Sequence, residues 1–200
     1  MKKICVIIGV LISVFVTGFC VNAKKDKMQA ELAGEVFRFH VLANSDRKQD
    51  QELKMKVKEA IIAYMKQELP DSDSVQTTKQ WARQNLKEIE RVAAEVVSEE
   101  QFEYSVKAKV ERCDFPDKTY GDITFPAGEY EALRIEIGEA NGQNWWCVLY
   151  PNLCFIDSVH AVVPQKGKDK LKKVLEEDTY EMVTTTTRFK IGWFFFQYFF

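Results

Sequence analysis

The chain has 200 residues, of which 46% are hydrophobic and 12% aromatic, so it holds enough apolar material for one well-packed globular domain. Its length excludes two domains of ordinary size. The formal net charge is −2, with 28 basic and 30 acidic side chains, and such a balance gives nucleic acid no electrostatic reason to bind.

The N-terminal 23 residues have the pattern of a targeting segment. Two lysines precede an apolar run over 4–21, and small residues at 21–23 offer a cleavage site. The run is also close to the ~20 residues that cross a bilayer, so the alternative is an uncleaved anchor. Both alternatives predict export. The predicted organisation is a signal peptide or signal anchor at 1–23, one globular domain at 24–190 and an aromatic tail at 191–200.

Residues 37–63 predict a strand, a polar elbow and an amphipathic helix. Side chains alternate over 37–42 with the period of a half-buried strand, which places Arg38 and His40 on its solvent-facing side. The helix follows from apolar residues that recur on one face, and Pro70 ends it. These apolar residues are Leu53, Val57, Ala60, Ile61 and Tyr64.

The elbow between strand and helix consists of Asn44, Ser45 and Asp46. Short polar side chains of this kind bond nearby backbone amides, and Asp46 with Gln49 three residues on resembles a capping box. Asp50 then opposes the positive end of the helix. The elbow is therefore predicted to start the helix.

A second helix is predicted to open at Thr77 and Gln80 and to run to about residue 97, which gives an antiparallel helical pair. Period-two alternation then predicts strands over 102–111 and 131–137, with a short strand at 120–125 between them. The Asn141-Gly142 pair signals a hairpin that leads into an apolar central strand at 145–150. A short helix over 166–178 has a weaker signal. The predicted fold class is α+β, with an antiparallel sheet of about four to five strands packed against the helix pair.

Three of the five cysteines lie beyond the targeting segment. Cys147 and Cys154 flank a Pro151-Asn152 turn, so outside the cytoplasm a disulfide between them is one interpretation. The alternative is two buried thiols that act as small hydrophobic groups. Cys113 falls on the polar side of its strand and is predicted to be a free thiol.

The residue inventory for catalysis is small. A thiol triad of Cys147, His160 and Asp157 is conceivable, but a cysteine in a strand that is apolar on both sides would have a raised pKa, the wrong direction for a nucleophile. The two histidines are 120 positions apart, and neither HxxxH nor CxxC spacing occurs. We therefore predict no catalytic residue, no metal, no cofactor and no small-molecule substrate.

A partner-binding surface is the remaining hypothesis. The alternatives are a solvated strand face for Arg38 and His40, helix capping for Asn44 and Asp46, and core packing for the tryptophan pair. The aromatic tail at 191–200 is too short to span a bilayer, and it could contact a membrane interface or cover an apolar patch. The predicted partner-binding residues are Arg38, His40, Asn44, Ser45, Asp46, Asp50, Trp145 and Trp146.

Two sequence blocks resemble a known family. FRFHVLANSD with DQELKMKVKEAI covers 37–62, and FPAGEYEALRIEIGEANGQNWWCVLYPNLCF covers 125–155. Together they resemble the stage II sporulation protein R family of endospore-forming Gram-positive bacteria. The FFFQYFF end has no place in the family pattern.

The resemblance implies a function that the spacing of residues does not supply. Members of this family are made in the forespore and exported into the space between the two septal membranes. There they switch on a membrane-embedded aspartic protease, which cleaves the precursor of an early mother-cell sigma factor. The chain would then be an activating ligand that binds its receptor without catalysis of its own. The alternative from another class is a secreted hydrolase at the cell wall or membrane.

Overall fold

The computed structural model describes residues 19, 23–70, 74–154, 163 and 165–185. The predicted aromatic tail, Asp157 and His160 lie outside these residues, as does the targeting segment apart from Phe19 and Ala23. No helix in the described part is both long and apolar enough to cross a membrane. The helices are α1 (described over 23–35), α2 (Lys48–Glu68), α3 (Val75–Gln84), α4 (Leu86–Glu99), α5 (Gln165–Val174) and α6 (described over 177–185). The strands are β1 (Phe37–Leu42), β2 (Val106–Phe115), β3 (Lys118–Tyr120), β4 (Ile123–Phe125), β5 (Gly128–Ile137) and β6 (Asn144–Tyr150).

The main sheet has four strands in the order β2-β5-β1-β6, and β3 and β4 form a separate two-stranded sheet. β1 pairs with β6 and β5 with β2 in antiparallel fashion, but β1 runs parallel to β5, with Phe39 opposite Leu133. The α+β class is confirmed. The sheet is mixed rather than strictly antiparallel, because β1 lies between two strands that follow each other in sequence.

The Asn-Gly pair makes a turn, but the predicted hairpin is wrong. Residues 138–143, here called the β5–β6 connection, cross the end of β1 instead of joining neighbouring strands. Gly142 N donates to the Ala43 carbonyl at 2.9 Å, and Asn141 N donates to the Asn44 carbonyl at 3.2 Å. The turn residues are therefore bonded to the elbow.

A helical layer covers one face of the sheet. The apolar stripe of α2, with Leu53, Val57 and Ile61, packs with α3 and α4 against Phe39 and other β-strand residues in one buried cluster. This stripe is the face that the helical period predicts. The helix pair itself differs from prediction, because the second helix is divided at Asn85 into α3 and α4.

A second layer covers the opposite face. It is built by α1, the β3–β4 sheet, α5 and α6, whose buried residues include Leu32, Phe125, Leu171 and Val183. β1 is consequently buried on both faces along its whole length. The predicted solvent-facing side of β1 is wrong, because the second layer covers that side.

The predicted helix caps also differ. α2 starts after Arg47, and no side chain caps it. α3 starts after Ser74, whose hydroxyl accepts from Gln76 N at 3.2 Å. α2 ends at Glu68, two residues before Pro70, as predicted.

Candidate functional site

The carboxylate of Asp50, in the first turn of α2, is the acceptor to which the elbow side chains bond. It accepts hydrogen bonds from Ser45 Oγ at 2.5 Å, Asn44 Nδ2 at 3.0 Å and Tyr104 OH at 3.1 Å. Arg47 Nη2 lies 3.4 Å from the same carboxylate. Burial alone would raise the pKa of Asp50, but these hydrogen bonds and the Arg47 charge hold it below its ordinary value. Asp50 is therefore a buried, ionised group that orders the elbow.

The elbow is also bonded to the β5–β6 connection. Asn44 Oδ1 accepts from Glu139 N at 2.9 Å, and Asp46 Oδ1 accepts from Gln143 N at 2.7 Å. Lys54 Nζ donates to the Gln143 carbonyl at 3.0 Å. Asp46 thus holds the connection rather than capping α2.

Two glycines allow this close approach. Gly138 has a φ of +59°, and a Cβ on it would overlap the Asn44 side chain. A Cβ on Gly142 would overlap the backbone carbonyl of Ser45. The three elbow residues and Asp50 of α2 do come together here, and their hydrogen bonds join β1, α2 and the connection. Partner binding by these residues stays a prediction.

Arg38 is fully buried, which corrects its predicted place on a solvated face. Its Nε donates to the Cys147 carbonyl at 3.2 Å, and its Nη2 donates to Tyr120 OH at 3.3 Å. The guanidinium carbon lies 4.4 Å from the centre of the Phe115 ring and 5.0 Å from that of Tyr130. Arg38 therefore packs as a cation among aromatic faces in the second layer.

His40 is buried beside Arg38, which again corrects the prediction. Its ring stacks on Trp146 with centroids 4.9 Å apart, and Nε2 lies 3.5 Å from Cys113 Sγ. Burial, together with the charges of Arg134 and Arg38, lowers the pKa of His40 to about 3. Burial raises the pKa of the Cys113 thiol to about 11. The two groups therefore stay a neutral imidazole and a neutral thiol, whereas a reactive cysteine needs a thiolate.

Sequence reasoning missed this cysteine–histidine pair. The two residues are 73 positions apart, on strands that the predicted topology did not place near each other. Alternation along β1 and β2 assigns His40 and Cys113 each to one side of its strand. The strand order is also needed to show that both side chains lie on the same face of the sheet. The contact between Cys113 and His40 could therefore be predicted only from a topology in which β1 pairs with β5 in parallel.

The two tryptophans lie on opposite faces of β6, and each is half-buried. Trp145 packs edge-on against Phe39 with centroids 5.6 Å apart, and Lys58 Nζ lies 5.3 Å from its ring centre. Trp146 stacks on His40, and Lys118 Nζ lies 5.9 Å from its ring centre. Each indole thus has a packed side and a side next to a lysine.

Cys113, Cys147 and Cys154 are all free thiols. Of the two interpretations for Cys147 and Cys154, the structure therefore contains the pair of thiols rather than the disulfide. Burial raises the pKa of the Cys154 thiol, and its contact with Cys147 raises it further. Within the described residues, no group of three or more His, Cys, Asp or Glu side chains is placed to hold a metal ion.

The fold and this site define an α+β protein whose mixed sheet is enclosed by two layers and whose elbow joins strand, helix and connection. No solved structure matches the chain. The profile of the family described as stage II sporulation protein R matches residues 33–160, a range that contains every strand.

A curated relative agrees with the profile. Over 185 residues the chain is 35% identical to the stage II sporulation protein R of Bacillus subtilis (strain 168), an alignment that covers 88% of this chain and 83% of that protein. The chain belongs to the stage II sporulation protein R family, and it has a role in sporulation. The resemblance carried by the blocks at 37–62 and 125–155 is confirmed.

Proposed function

We propose that the protein is an exported signal of endospore formation that activates a membrane-embedded aspartic protease. The activated protease then processes a sigma factor precursor in the mother cell. The observation that carries the proposal is the family match, which includes the elbow and all strands of the main sheet.

The chemistry of the described residues supports a binding role. The one cysteine–histidine contact of the described part, between Cys113 and His40, joins two neutral and largely buried groups. Cys147, the nucleophile of the conceivable triad, is buried in β6. Burial raises the pKa of the Cys113 thiol despite the nearby charges of Arg134 and Arg38, whereas a catalytic cysteine has a lowered pKa.

Activation by binding has a definite energetic requirement. A ligand shifts a two-state equilibrium only by its difference in affinity for the two states, and a near-complete switch needs about 5.5 kcal/mol. If the active protease is a dimer, a ligand that binds the dimer more tightly than the monomer meets this requirement.

The proposed location is the intermembrane space of the septum, reached by export from the forespore. The targeting pattern at 1–23 supports export, and the aromatic tail at 191–200 supports a peripheral membrane contact.

Reconstitution tests the proposal. The sigma precursor and its membrane protease are produced in a non-sporulating host, with this protein either exported or kept in the cytoplasm by deletion of residues 1–23. We expect cleavage of the precursor only with the exported form, and we expect the Cys113→Ser variant to support cleavage as well as the parent does. Cleavage that is indifferent to the exported protein would contradict the proposal.

A further inference from the structure

Within the part of the chain that the structure describes, the outer edge of β6 has no partner strand near its start. The sheet order leaves β2 and β6 as the two edge strands. The Val148 carbonyl points away from β1, because it accepts from Leu153 N at 3.2 Å and Cys154 N at 3.1 Å. Alternate residues of a strand direct their N–H and C=O groups to the same side, so those of Asn144 and Trp146 point outward as well.

These outward groups are available for pairing. Within the described part of the chain, nothing bonds to the outward N–H and C=O groups of Asn144 and Trp146. Among the described residues, the turn after β6 closes the edge at Val148. An added strand could form backbone hydrogen bonds with these outward N–H and C=O groups.

The other edge of the sheet is protected. Ala108 N of β2 points away from β5 and donates to Glu90 Oε1 at 2.8 Å, so α4 covers part of that edge. β2 also carries charged side chains, which discourage pairing with another strand. These are Lys107, Lys109, Glu111, Arg112 and Asp114. β6 has no charged residue of its own, and its two half-buried indoles flank the open groups.

Three ammonium groups lie near the start of β6, and that of Lys54 is buried and also donates to Gln51 Oε1 at 2.6 Å. Lys54 Nζ is bonded to the carbonyl of Gln143, the residue before β6, and Lys58 and Lys118 lie beside the two indoles. Lys58 is paired with Glu59 at 3.3 Å. Lys54 and Lys118 have no ion-pair partner among the described residues. The edge is therefore apolar in its side chains and positive in its surroundings.

We propose that the start of β6, at Asn144–Trp146, is a docking edge that takes an extended acidic segment of the membrane protease as a further strand. The inference rests on the proposed function, because it takes that protease as the partner. Backbone hydrogen bonds to Asn144 and Trp146 supply the pairing, the indoles supply apolar contact, and the half-buried Lys118 selects negative charge.

A proline pair tests the backbone part. Asn144→Pro removes one outward N–H from β6, and Arg112→Pro removes one outward N–H from β2, the opposite edge; both leave the inward ladder intact. In the reconstituted host we expect Asn144→Pro to lower precursor cleavage about tenfold and Arg112→Pro to change it less than about twofold. Thermal unfolding of both purified variants confirms that each is folded.

A charge pair tests the choice of partner. Lys118→Glu reverses one charge at the open edge, and Lys107→Glu reverses one on β2, where Lys107 is exposed. We expect Lys118→Glu to reduce cleavage and Lys118→Arg to preserve it, while Lys107→Glu has no effect. Equal effects of the two charge reversals would overturn the acidic-segment proposal.

If Asn144→Pro does not fold, crosslinking tests the docking edge instead. A photoreactive residue at position 144 is expected to crosslink to the protease, and one at position 112 is not. Crosslinking from 112 alone, or from 144 to a second copy of this chain, would overturn the inference. If a folded Asn144→Pro variant supports precursor cleavage as well as the parent does, the docking edge alone is refuted. If the parent protein itself fails to support cleavage, the proposed function is refuted.

Discussion

At the scale of single residues, two buried polar groups illustrate how this domain tolerates polarity in its interior. Asp50 is ionised because Ser45, Asn44 and Tyr104 donate to it and Arg47 lies beside it. His40 is neutral because it is enclosed by aromatic rings and two nearby arginines. The Asp50 carboxylate is therefore stabilised in its charged form by its partners, whereas the His40 imidazole stays neutral.

Asp50→Asn tests the elbow. The amide cannot accept the same set of hydrogen bonds as the carboxylate, and we expect the free energy of unfolding to fall by about 2 kcal/mol at neutral pH. Because the pKa of Asp50 is lowered in the folded state, its contribution is present above the ordinary aspartate pKa and is lost as the pH falls. Urea denaturation at several pH values measures both effects. Glu52→Gln, at an exposed position on α2, is the control; an equal loss in both variants would contradict the role of Asp50.

His40→Phe tests the neutral imidazole. The unfolded chain binds a proton near pH 6.5 and the folded one only near pH 3, so His40 makes folding less favourable as the pH falls through that range. The expected cost is about 1.4 kcal/mol per pH unit from this group. The phenylalanine variant keeps an aromatic ring against Trp146 and should show a flatter dependence of unfolding free energy on pH between these values. An unchanged slope would contradict the assignment.

At the scale of elements, the β5–β6 connection fixes the strand order. It crosses the end of β1 and bonds to the elbow at Ala43, Asn44 and Asp46. Gly142 lies where any side chain would meet the Ser45 backbone. The geometry of strand, elbow and helix therefore depends on a contact with a distant part of the chain.

Gly142→Ala tests that contact. The added Cβ overlaps the Ser45 carbonyl, and backbone cannot move aside as a flexible side chain would, so we expect a loss of about 1–3 kcal/mol in unfolding free energy. Gly34→Ala is the matched control, because a Cβ there meets nothing within 4 Å and position 34 lies in α1. Alanine at 34 should be neutral or slightly stabilising. A similar response at both positions would contradict the close approach.

The sequence predicted individual helices and strands better than it predicted which of them lie next to each other. The stripe of Leu53, Val57 and Ile61 identified α2 and its buried face, because helical period is a local property. Period-two alternation likewise located β2 and β5. The elbow residues were recognised, but Asp46 was assigned to a cap because its true partner, Gln143 N, is 97 positions away. The Asn-Gly turn was read as a hairpin, since no local signal shows that β1 enters between β5 and β6.

At the scale of the whole molecule, two layers enclose the sheet, and among the described residues nothing pairs with the outer edge of β6 near its start. The second layer was not predicted, although a helix was expected over 166–178, where α5 lies, because no local pattern shows that helices from the two ends of the described chain pack against β1. They are joined through Glu31 of α1, whose carboxylate accepts from Glu176 N at 2.6 Å and Thr179 Oγ1 at 2.5 Å. Arg38 and His40 are buried as a consequence, so the accessible candidates shift toward the start of β6.

Glu31→Ala tests the junction between the chain ends. The carboxylate bonds the first turn of α6, and its loss should cost about 1 kcal/mol, as for other helix caps. Amide hydrogen exchange in α6 should increase more than exchange in α2. Glu35→Ala, also on α1, is the control and should leave exchange in α6 unchanged. Equal protection of α6 in the Glu31 variant and the parent would contradict the role of this contact.

Complex formation is the most direct test of the central claim that the protein acts by binding. The membrane protease, with its catalytic aspartate replaced by asparagine, is produced with the exported protein and purified in detergent. The account predicts that the two proteins co-purify in a fixed ratio although no cleavage takes place. Processing by the active protease without any recoverable complex would contradict it, and would instead indicate an enzyme that modifies its target and leaves.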